Sequence, residues 1–236
     1  MLWIIADIHG SYAHLQKAID KILEADKSPK FLFLGDYVNR GNDSRSVLDC
    51  LIDLDQKYSC IFLSGNHDDV FKYVIGLESY TDFRYFVDSP ATPEKVKIWF
   101  TKHGLQKTLD NFPDGVSQKY KDFLSKLKLY HVTDSYVAAH AWFPNQDPKI
   151  PVSDITNVLW GNMKNTSGKN WNRLGFFGHV PVQFIGNLSS NDMIFRENIC
   201  FLDGGVGIEK INNSNLICVG YNEVLQTVEK IIKVEL

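Results

Sequence analysis

The feature that most constrains this chain is a unit of apolar run, polar ending and helical pattern, which occurs three times in succession. The polar endings begin at Asp7, Asp36 and Asn66, at intervals of 29 and 30 residues. That interval is the size of one βαβ unit, in which a helix connects two parallel strands. A helix over Asp69–Ile75 is predicted to follow the third ending. The pattern therefore predicts a parallel sheet, with the polar endings together beyond the carboxyl ends of its strands.

The rest of the chain changes character twice. From about residue 69 to residue 130 the pattern is mostly helical, and we expect a helical insertion packed at the edge of the sheet. From Ser135 onward, runs of strand length return in the segments SYVAAH, RLGFFGH, VQFIG, ICFLDGG and NLICVGY. No linker composition divides these parts, so the sequence predicts one domain over residues 1–236.

Composition and charge restrict the class of protein. The chain has 236 residues, 44% of them apolar, and a net charge of −3, which argues against a nucleic-acid or membrane-surface protein. No apolar segment reaches the length of a membrane span, and the first residues lack signal-peptide anatomy. The four cysteines form no CxxC pair, so thiols in a reducing compartment are expected rather than disulfides. We therefore expect a cytoplasmic protein with no membrane or nucleic-acid partner.

Two of the later apolar runs end in histidine, which extends the residues of metal-ligand type to five strand ends. The candidate ligands are Asp7, His9, Asp36, Asn66, His140 and His179. Carboxylate, imidazole and amide groups together suit manganese, iron, zinc or nickel. Six ligands are too many for one tetrahedral ion. They are typical of two divalent ions that share a carboxylate, an arrangement that clamps a phosphoryl group and activates water.

Each of these residues taken singly has a plainer interpretation. Asp7 and Asp36 could belong to ordinary turns or helix caps, and His67 could be a solvated side chain. His140 and His179 could be partly buried histidines with a structural role. The hypothesis of a metal site depends on the convergence of five strand ends at one edge rather than on any one residue.

The order of the motifs ADIHG, GDYVNRG, GNHD, HAW and GHVP resembles that of the calcineurin-like metallophosphoesterases. The branch they resemble contains the serine/threonine phosphoprotein phosphatases and the symmetrical diadenosine tetraphosphate hydrolases. Those proteins carry GDxHG, GDxVDRG, GNHE, HAG or HGG, and GHTP. The resemblance covers the chain from end to end. It implies a four-layer αββα sandwich with a helical insertion, in which the C-terminal strands form a second sheet.

The resemblance also implies a role for each candidate ligand. Asp7 and His9 would bind the first divalent ion, and Asp36 would bridge the two ions. The second ion would be completed by Asn66, His140 and His179. Two such ions, with manganese favoured for activity, would neutralise phosphate oxygens and lower the pKa of a bridging water. The resulting hydroxide would attack phosphorus in line.

Further residues would act on the phosphate group itself. Arg40 offers a planar fork to phosphate oxygens, and His67 can protonate the leaving oxygen as a general acid. The family uses a second arginine on a later loop. Three basic residues of this chain fit that position, and the sequence does not choose among Lys164, Lys169 and Arg173. Arg173 is retained as the candidate for this substrate contact.

The sequence departs from the family pattern at two places that matter for chemistry. Trp142 stands where HAG or HGG has a glycine, and its ring could stack on a substrate or pack, with packing favoured. Asn39 replaces the aspartate of GDxVDRG, which in the phosphoprotein phosphatases pairs with the histidine at the position of His67. A carboxylate favours the imidazolium more than an amide does, so Asn39 puts the acid step in question.

The sequence leaves the substrate class open. The first prediction is a phosphatase of phosphomonoesters, with phosphoserine and phosphothreonine proteins as substrates. The alternative is a hydrolase of dinucleoside polyphosphates such as diadenosine tetraphosphate. Asn39 favours this alternative, because a nucleotide leaving group needs less help from an acid than a serine alkoxide does. A non-catalytic phosphate-binding module is a third alternative, and the intact ligand set argues against it. The charge and the lack of a basic aromatic stripe argue against a nuclease.

Overall fold

The computed structural model describes residues 1–82, 98, 101–143, 155–161, 171–187 and 189–236. The strands in these ranges are β1 Leu2–Ile5, β2 Lys30–Phe33, β3 Ser59–Phe62, β4 Tyr130–Val132, β5 Tyr136–Ala139, β6 Leu174–Phe177, β7 Ile194–Arg196, β8 Ile199–Phe201, β9 Leu216–Asn222 and β10 Thr227–Val234. The helices are α1 Tyr12–Ala25, α2 Ser44–Lys57, α3 Asn66–Val74, α4 Leu105–Asp110, α5 Gln118–Ser125, α6 Ile155–Trp160 and α7 Val182–Ile185.

The strands form two mixed sheets of five strands each. The first has the order β10-β9-β1-β2-β3, in which β1, β2 and β3 are parallel, β9 is antiparallel to β1, and β10 is antiparallel to β9. The second has the order β4-β5-β6-β8-β7, with β5, β6 and β8 parallel and an antiparallel strand at each edge. The parallel arrangement predicted from the three repeated units is therefore confirmed.

The side chains of β1 alternate between two cores. Leu2 and Ile4 pack with residues of the second sheet such as Phe176, whereas Trp3 and Ile5 pack with the apolar faces of α1 and α2. A strand buried on both faces is apolar at every position, which explains the uninterrupted apolar runs in the sequence. Helices α6 and α7 contribute to the cluster around the second sheet. The predicted αββα sandwich is thus confirmed.

One strand assignment and one sheet assignment in the C-terminal half are wrong. The segment VQFIG forms the short helix α7 after Pro181. Val182 is fully buried and Phe184 is 44% exposed, although both would lie on the same face of a strand. The segment NLICVGY forms β9, which pairs with β1 in the first sheet instead of joining the second. Because β9 is buried on both faces, its apolar pattern carries no information about which sheet it joins.

Helix α3 begins at Asn66, three residues before its predicted start. The Asp68 carboxylate accepts the backbone N–H of Gly65 at 2.9 Å, which caps the helix one turn earlier. As a result, Asn66 and His67 lie in the first turn of α3.

Part of the predicted insertion is helical, namely α4 and α5. Residues 83–97, 99 and 100 lie outside the described part, so the extent of the insertion and the single domain stay predictions. All four cysteines are free thiols, as expected. None of the described helices combines the length and the apolar character needed to cross a membrane.

Candidate active site

The candidate site lies where the carboxyl ends of five strands from both sheets meet. The first sheet supplies Asp7, Asp36 and Asn66, which follow β1, β2 and β3. The second sheet supplies His140 and His179, which follow β5 and β6. The backbone N–H of His179 donates to both carboxylate oxygens of Asp7 at 3.1 Å, which joins the two sheets at this edge. The predicted ligands are therefore brought together in space.

Asp36 lies at the centre of this group. Its Oδ2 atom is 3.4 Å from Nε2 of His9, and its Oδ1 atom is 3.5 Å from Nε2 of His140. Two sets of potential ligand atoms each lie within 4.8 Å of one another, His9, Asp36 and His67 in one set and Asp7, Asp36 and His140 in the other. Asp36 belongs to both sets, which is the position that a bridging carboxylate needs.

The two buried histidines beside Asp36 present lone pairs to it. Nδ1 of His9 is 3.2 Å from the carbonyl oxygen of Val38, and Nδ1 of His140 is 3.0 Å from the carbonyl oxygen of Leu34. Since a carbonyl oxygen only accepts, each Nδ1 carries the ring proton and each Nε2 is left as an acceptor. Histidines that bind metals are commonly oriented by such a hydrogen bond to a backbone carbonyl.

The result is a buried cluster of acceptors that fits a cation. Nε2 of His9 has no hydrogen-bond partner among the described residues and lies 3.9 Å from Oδ2 of Asp7. Nε2 of His140, an acceptor, lies 3.0 Å from the amide oxygen of Asn66, and Nδ1 of His179 lies 3.2 Å from the same oxygen. Buried acceptors that face one another are unfavourable unless a cation satisfies them. These nitrogen and oxygen donors therefore fit divalent metal ions.

Burial shifts the pKa values of this cluster in opposite directions for acids and bases. It raises the pKa of Asp36 to about 7, and burial with repulsion from Asp36 raises the pKa of Asp7 well above its usual value. Burial lowers the pKa of His140 to about 3, and burial with repulsion from Arg40 lowers the pKa of His9 well below its usual value. Divalent cations would favour the ionised acids and the neutral imidazoles together.

Backbone strain is concentrated at the site. Seven non-glycine residues in the described ranges have a positive φ, and five of them are predicted site residues: His9, Asp36, Asn39, Arg40 and His179. Each such residue costs about 1–3 kcal/mol and persists only where its surroundings hold it. The packing around them is correspondingly close. A Cβ added at Gly178 would lie 2.1 Å from Oδ1 of Asp7.

The first turn of α3 holds the loop that carries Asp36. The backbone N–H of His67 donates to Oδ1 of Asp36 at 2.9 Å, at the end of the helix that favours negative charge. The Asp68 carboxylate accepts the backbone N–H groups of Asp36 and Tyr37 at 2.7 and 2.9 Å. Burial and repulsion from Asp36 raise the pKa of Asp68 to about 8. Asp68 is the last residue of the GNHD motif and is not among the predicted site residues.

A buried network holds the Asn39 amide in one orientation. Oγ1 of Thr108 accepts the Asn39 backbone N–H at 2.8 Å and donates its own proton to Oδ1 of Asn39 at 2.9 Å. The amide nitrogen consequently faces His67, with 3.0 Å between Nδ2 of Asn39 and Nδ1 of His67. Since an amide NH2 only donates, Nδ1 of His67 accepts and the ring proton lies on Nε2. Burial, with repulsion from His9, lowers the pKa of His67 well below its usual value.

Arg40 lies between this cluster and a neighbouring cavity. Its Nη1 atom is buried and has no hydrogen-bond partner among the described residues. The α4 segment packs on its backbone, since a Cβ added at Gly104 would lie 2.2 Å from the Arg40 nitrogen. Nζ of Lys107 donates to the Arg40 carbonyl at 3.0 Å. The ring of His103 lies 6.3 Å from that of His67.

Another strand end adds a carboxylate that is absent from the predicted ligand set. Asp203 follows β8, is fully buried, and accepts the backbone N–H of Gly205 at 2.8 Å. Its Oδ2 atom has no hydrogen-bond partner in the described part of the chain. Burial and repulsion from Asp7 raise its pKa well above the usual value. The sequence contains a signal that points to Asp203, because the FLDGG segment ends an apolar run as the other motifs do.

Of the predicted substrate contacts of the second half, Arg173 is not brought to this group. Arg173 directly precedes β6, whereas His179 follows β6, so the two residues lie at opposite ends of one strand. The Arg173 guanidinium donates instead to the carbonyl of Thr133, and we remove Arg173 from the candidate phosphate contacts. Trp142 is half-buried and packs against the cluster between the sheets. The two other basic candidates, Lys164 and Lys169, lie outside the described residues.

Comparison with known proteins agrees with the strand-end motifs. A family model described as calcineurin-like phosphoesterase matches residues 1–156. The chain belongs to this family. Two solved structures share the fold at 16% identity. One is a metallophosphoesterase from Sphaerobacter thermophilus, with a TM-score of 0.56 over 99% of this chain and 88% of that one. The other is a protein serine/threonine phosphatase from Saccharomyces cerevisiae, with a TM-score of 0.54 over 92% of this chain and 72% of that one.

Two curated relatives have names that state a substrate. The symmetrical bis(5'-nucleosyl)-tetraphosphatase of Nitrosomonas europaea is 24% identical over 194 residues, which cover 80% of this chain and 62% of that protein. The asymmetrical bis(5'-nucleosyl)-tetraphosphatase PrpE of Halalkalibacterium halodurans is 26% identical over 163 residues, which cover 61% and 58%. The chain thus spans about three fifths of the length of these relatives.

Proposed function

We propose that this protein is a divalent-metal-dependent hydrolase that cleaves phosphoanhydride bonds, with dinucleoside polyphosphates as its main substrate class. The observation that carries this proposal is the contact of 3.0 Å between Nδ2 of Asn39 and Nδ1 of His67. That contact gives His67 a neutral imidazole with its proton on Nε2.

The proposed metal site is the buried cluster at the strand ends. The residues that would hold two divalent ions, with manganese as our first choice, are Asp7, His9, Asp36, Asn66, His140 and His179. When bound, such ions neutralise the negative charge of phosphate oxygens and lower the pKa of a bound water. Arg40, with a buried and unpartnered Nη1 among the described residues, is suited to hold a phosphate oxygen in the same place.

The protonation state of His67, the candidate general acid, decides between the substrate classes. A neutral imidazole is a much weaker acid than an imidazolium, which loses its proton near neutral pH. A serine alkoxide must be protonated as it leaves, and such general acid catalysis contributes about 10²–10⁴-fold in rate. A phosphate leaving group is a weak base and departs as an anion. The Asn39–His67 pair therefore supports cleavage of anhydrides over alkyl phosphate esters.

The names of the curated relatives support the same class, since both are bis(5'-nucleosyl)-tetraphosphatases. Phosphomonoesters, which the sequence alone placed first, become the second alternative. The reason is the orientation of the Asn39 amide, which the sequence did not contain. A non-catalytic phosphate-binding module remains the third alternative.

The test compares leaving groups on the purified protein with manganese. We expect kcat/KM for diadenosine tetraphosphate to exceed that for a phosphoserine peptide by about 100-fold or more, with p-nitrophenyl phosphate between them. A phosphopeptide that is hydrolysed as fast as the dinucleotide would overturn the proposal. Tight phosphate binding without turnover of any substrate, with manganese, iron, zinc or nickel, would favour the non-catalytic module.

A further inference from the structure

An open cavity of about 510 Å³ lies directly beside Arg40, between residues 101–107 and residues 207–210. Both segments are fixed to the Arg40 loop by close contacts. The first contact is that of Gly104 with the Arg40 backbone, and the second is at Gly207, where an added Cβ would lie 3.1 Å from Cβ of Arg40. The cavity therefore has a defined position relative to Arg40, whose charge acts on Asp7 and Asp36 of the candidate metal cluster.

The cavity is cationic in a protein whose net charge is −3. Among the described residues that line it, one is acidic, Glu209, and four are basic: Arg40, Lys102, Lys107 and Lys210. Positive charges gathered in one concave surface raise the local concentration of anions. His103 adds an imidazole to the lining, and its ring lies 6.3 Å from that of His67.

We propose that this cavity binds the phosphate groups of the leaving portion of the substrate, which are joined to the scissile phosphorus through anhydride oxygens. The inference rests on the proposed function and extends it to the recognition of the leaving group. In the reaction, water adds its oxygen to phosphorus and the bond from phosphorus to the bridging oxygen breaks. The electron pair stays on the bridging oxygen, and the proton of water passes to solvent. The leaving group thus departs as an anion beside Lys102 and Lys210.

The lining favours a phosphate chain over a nucleobase. Ile208 is the one aliphatic side chain among the described lining residues, and His103 is the one aromatic ring. A base-binding site is typically built from apolar and aromatic side chains on which the base stacks. A volume of about 510 Å³ exceeds what a single phosphate needs and lies within the usual range for bound ligands.

The test neutralises the two lysines that come from opposite walls, in the double variant Lys102→Gln/Lys210→Gln. Lys107 is left intact because it also donates to the Arg40 carbonyl. We expect kcat/KM to fall at least about tenfold more for diadenosine tetraphosphate and for inorganic tripolyphosphate than for p-nitrophenyl phosphate. The charge-retaining variant Lys102→Arg/Lys210→Arg should keep most of the activity. Lys126→Gln, at an exposed position after α5, is the matched control.

The outcomes separate the cavity from the proposed function. An equal fall for all three substrates, or no fall, overturns the phosphate assignment. A fall confined to the dinucleotide also overturns it and assigns the cavity to the nucleoside. If the unaltered protein hydrolyses p-nitrophenyl phosphate but neither polyphosphate, the proposed function fails. The cavity is then tested by tripolyphosphate as a competitive inhibitor of that turnover. A tenfold weaker inhibition in the double variant supports the cavity, and unchanged inhibition overturns it.

Discussion

The candidate site has a ligand half, formed by the candidate metal ligands around Asp36, and an acid half, formed by His67 and Asn39. The two halves orient their histidines by different means. In the ligand half, His9 and His140 are oriented by backbone carbonyls, which leave Nε2 as an acceptor. In the acid half, His67 is oriented by the side chain of Asn39, which leaves the proton on Nε2. A backbone carbonyl is present whatever residue carries it, whereas a side-chain partner changes with one substitution. Under the proposed function, the ligand half therefore sets the class of reaction, and the acid half sets the substrates that this reaction can reach.

The most severe way to break the ligand half is Asp36→Asn. The substitution removes the negative charge shared by both sets of ligand atoms, so we expect loss of bound metal and a fall of about 10³-fold or more in kcat/KM. Metal content by mass spectrometry and turnover of p-nitrophenyl phosphate check both effects. Asp43→Asn, an equal change of charge at the exposed residue before α2, should preserve both. Retained metal in Asp36→Asn would refute the bridging assignment.

Removal of metal should make the stability of the ligand half depend on pH. An acid whose pKa is raised on folding keeps its proton in the folded state while the unfolded chain has lost it, so stability falls as pH rises. Burial raises the pKa of Asp36 to about 7 and, with repulsion from Asp36, that of Asp68 to about 8. Burial lowers the pKa of His140 from 6.5 to about 3, which increases stability with pH but only below 6.5.

Above that pH only the effect of the acids remains. We therefore expect the melting temperature of chelator-treated protein to fall between pH 6.5 and about 8. Added manganese should abolish this fall, because the ions favour the ionised carboxylates. A melting temperature that stays constant over this range in the chelator would count against the buried acid cluster.

The role of the acid half can be tested with Asn39→Asp. A carboxylate beside Nδ1 favours the imidazolium of His67, so the variant should gain about tenfold or more in kcat/KM on alkyl phosphates and change little on diadenosine tetraphosphate. The pH–rate profile on alkyl phosphates should gain a limb that reports the His67 acid. Asn42→Asp, an equal charge change at an exposed residue of the same loop, is the control. Identical profiles for wild type and Asn39→Asp on alkyl and aryl phosphates would disprove the contact.

The smallest effect is expected from Thr108→Val, which keeps the shape of the side chain and removes the hydroxyl that orients Asn39. The buried Asn39 N–H loses its acceptor, so unfolding in urea should show a loss of about 1–3 kcal/mol. Turnover should change only a few-fold, because the amide can still contact His67. Thr227→Val, at an exposed strand position, should leave stability within about 0.5 kcal/mol. If Thr108→Val is as stable as wild type, the stabilising role of the Thr108–Asn39 network is contradicted.

The sequence by itself determined the strand ends. Asp7, Asp36 and Asn66 recur at one βαβ interval, and each is read from an apolar run within a few residues of it. Their convergence with His140 and His179 of the second sheet was implied by the family resemblance. The convergence of Asp7, Asp36 and Asn66 followed from the rule that parallel strands of a sheet end at one edge. This was local information, because the direction of a strand and the residue that ends it are encoded together.

Only the tertiary structure decided how distant segments pair. It placed β9 in the first sheet and His103 beside His67. It also oriented the Asn39 amide through Thr108, which is 69 residues away along the chain. A burial pattern shows that a side chain is covered but not which segment covers it. The class of reaction could therefore be read from local pattern, whereas the position of the proton on His67 and the cavity beside Arg40 depend on contacts between segments.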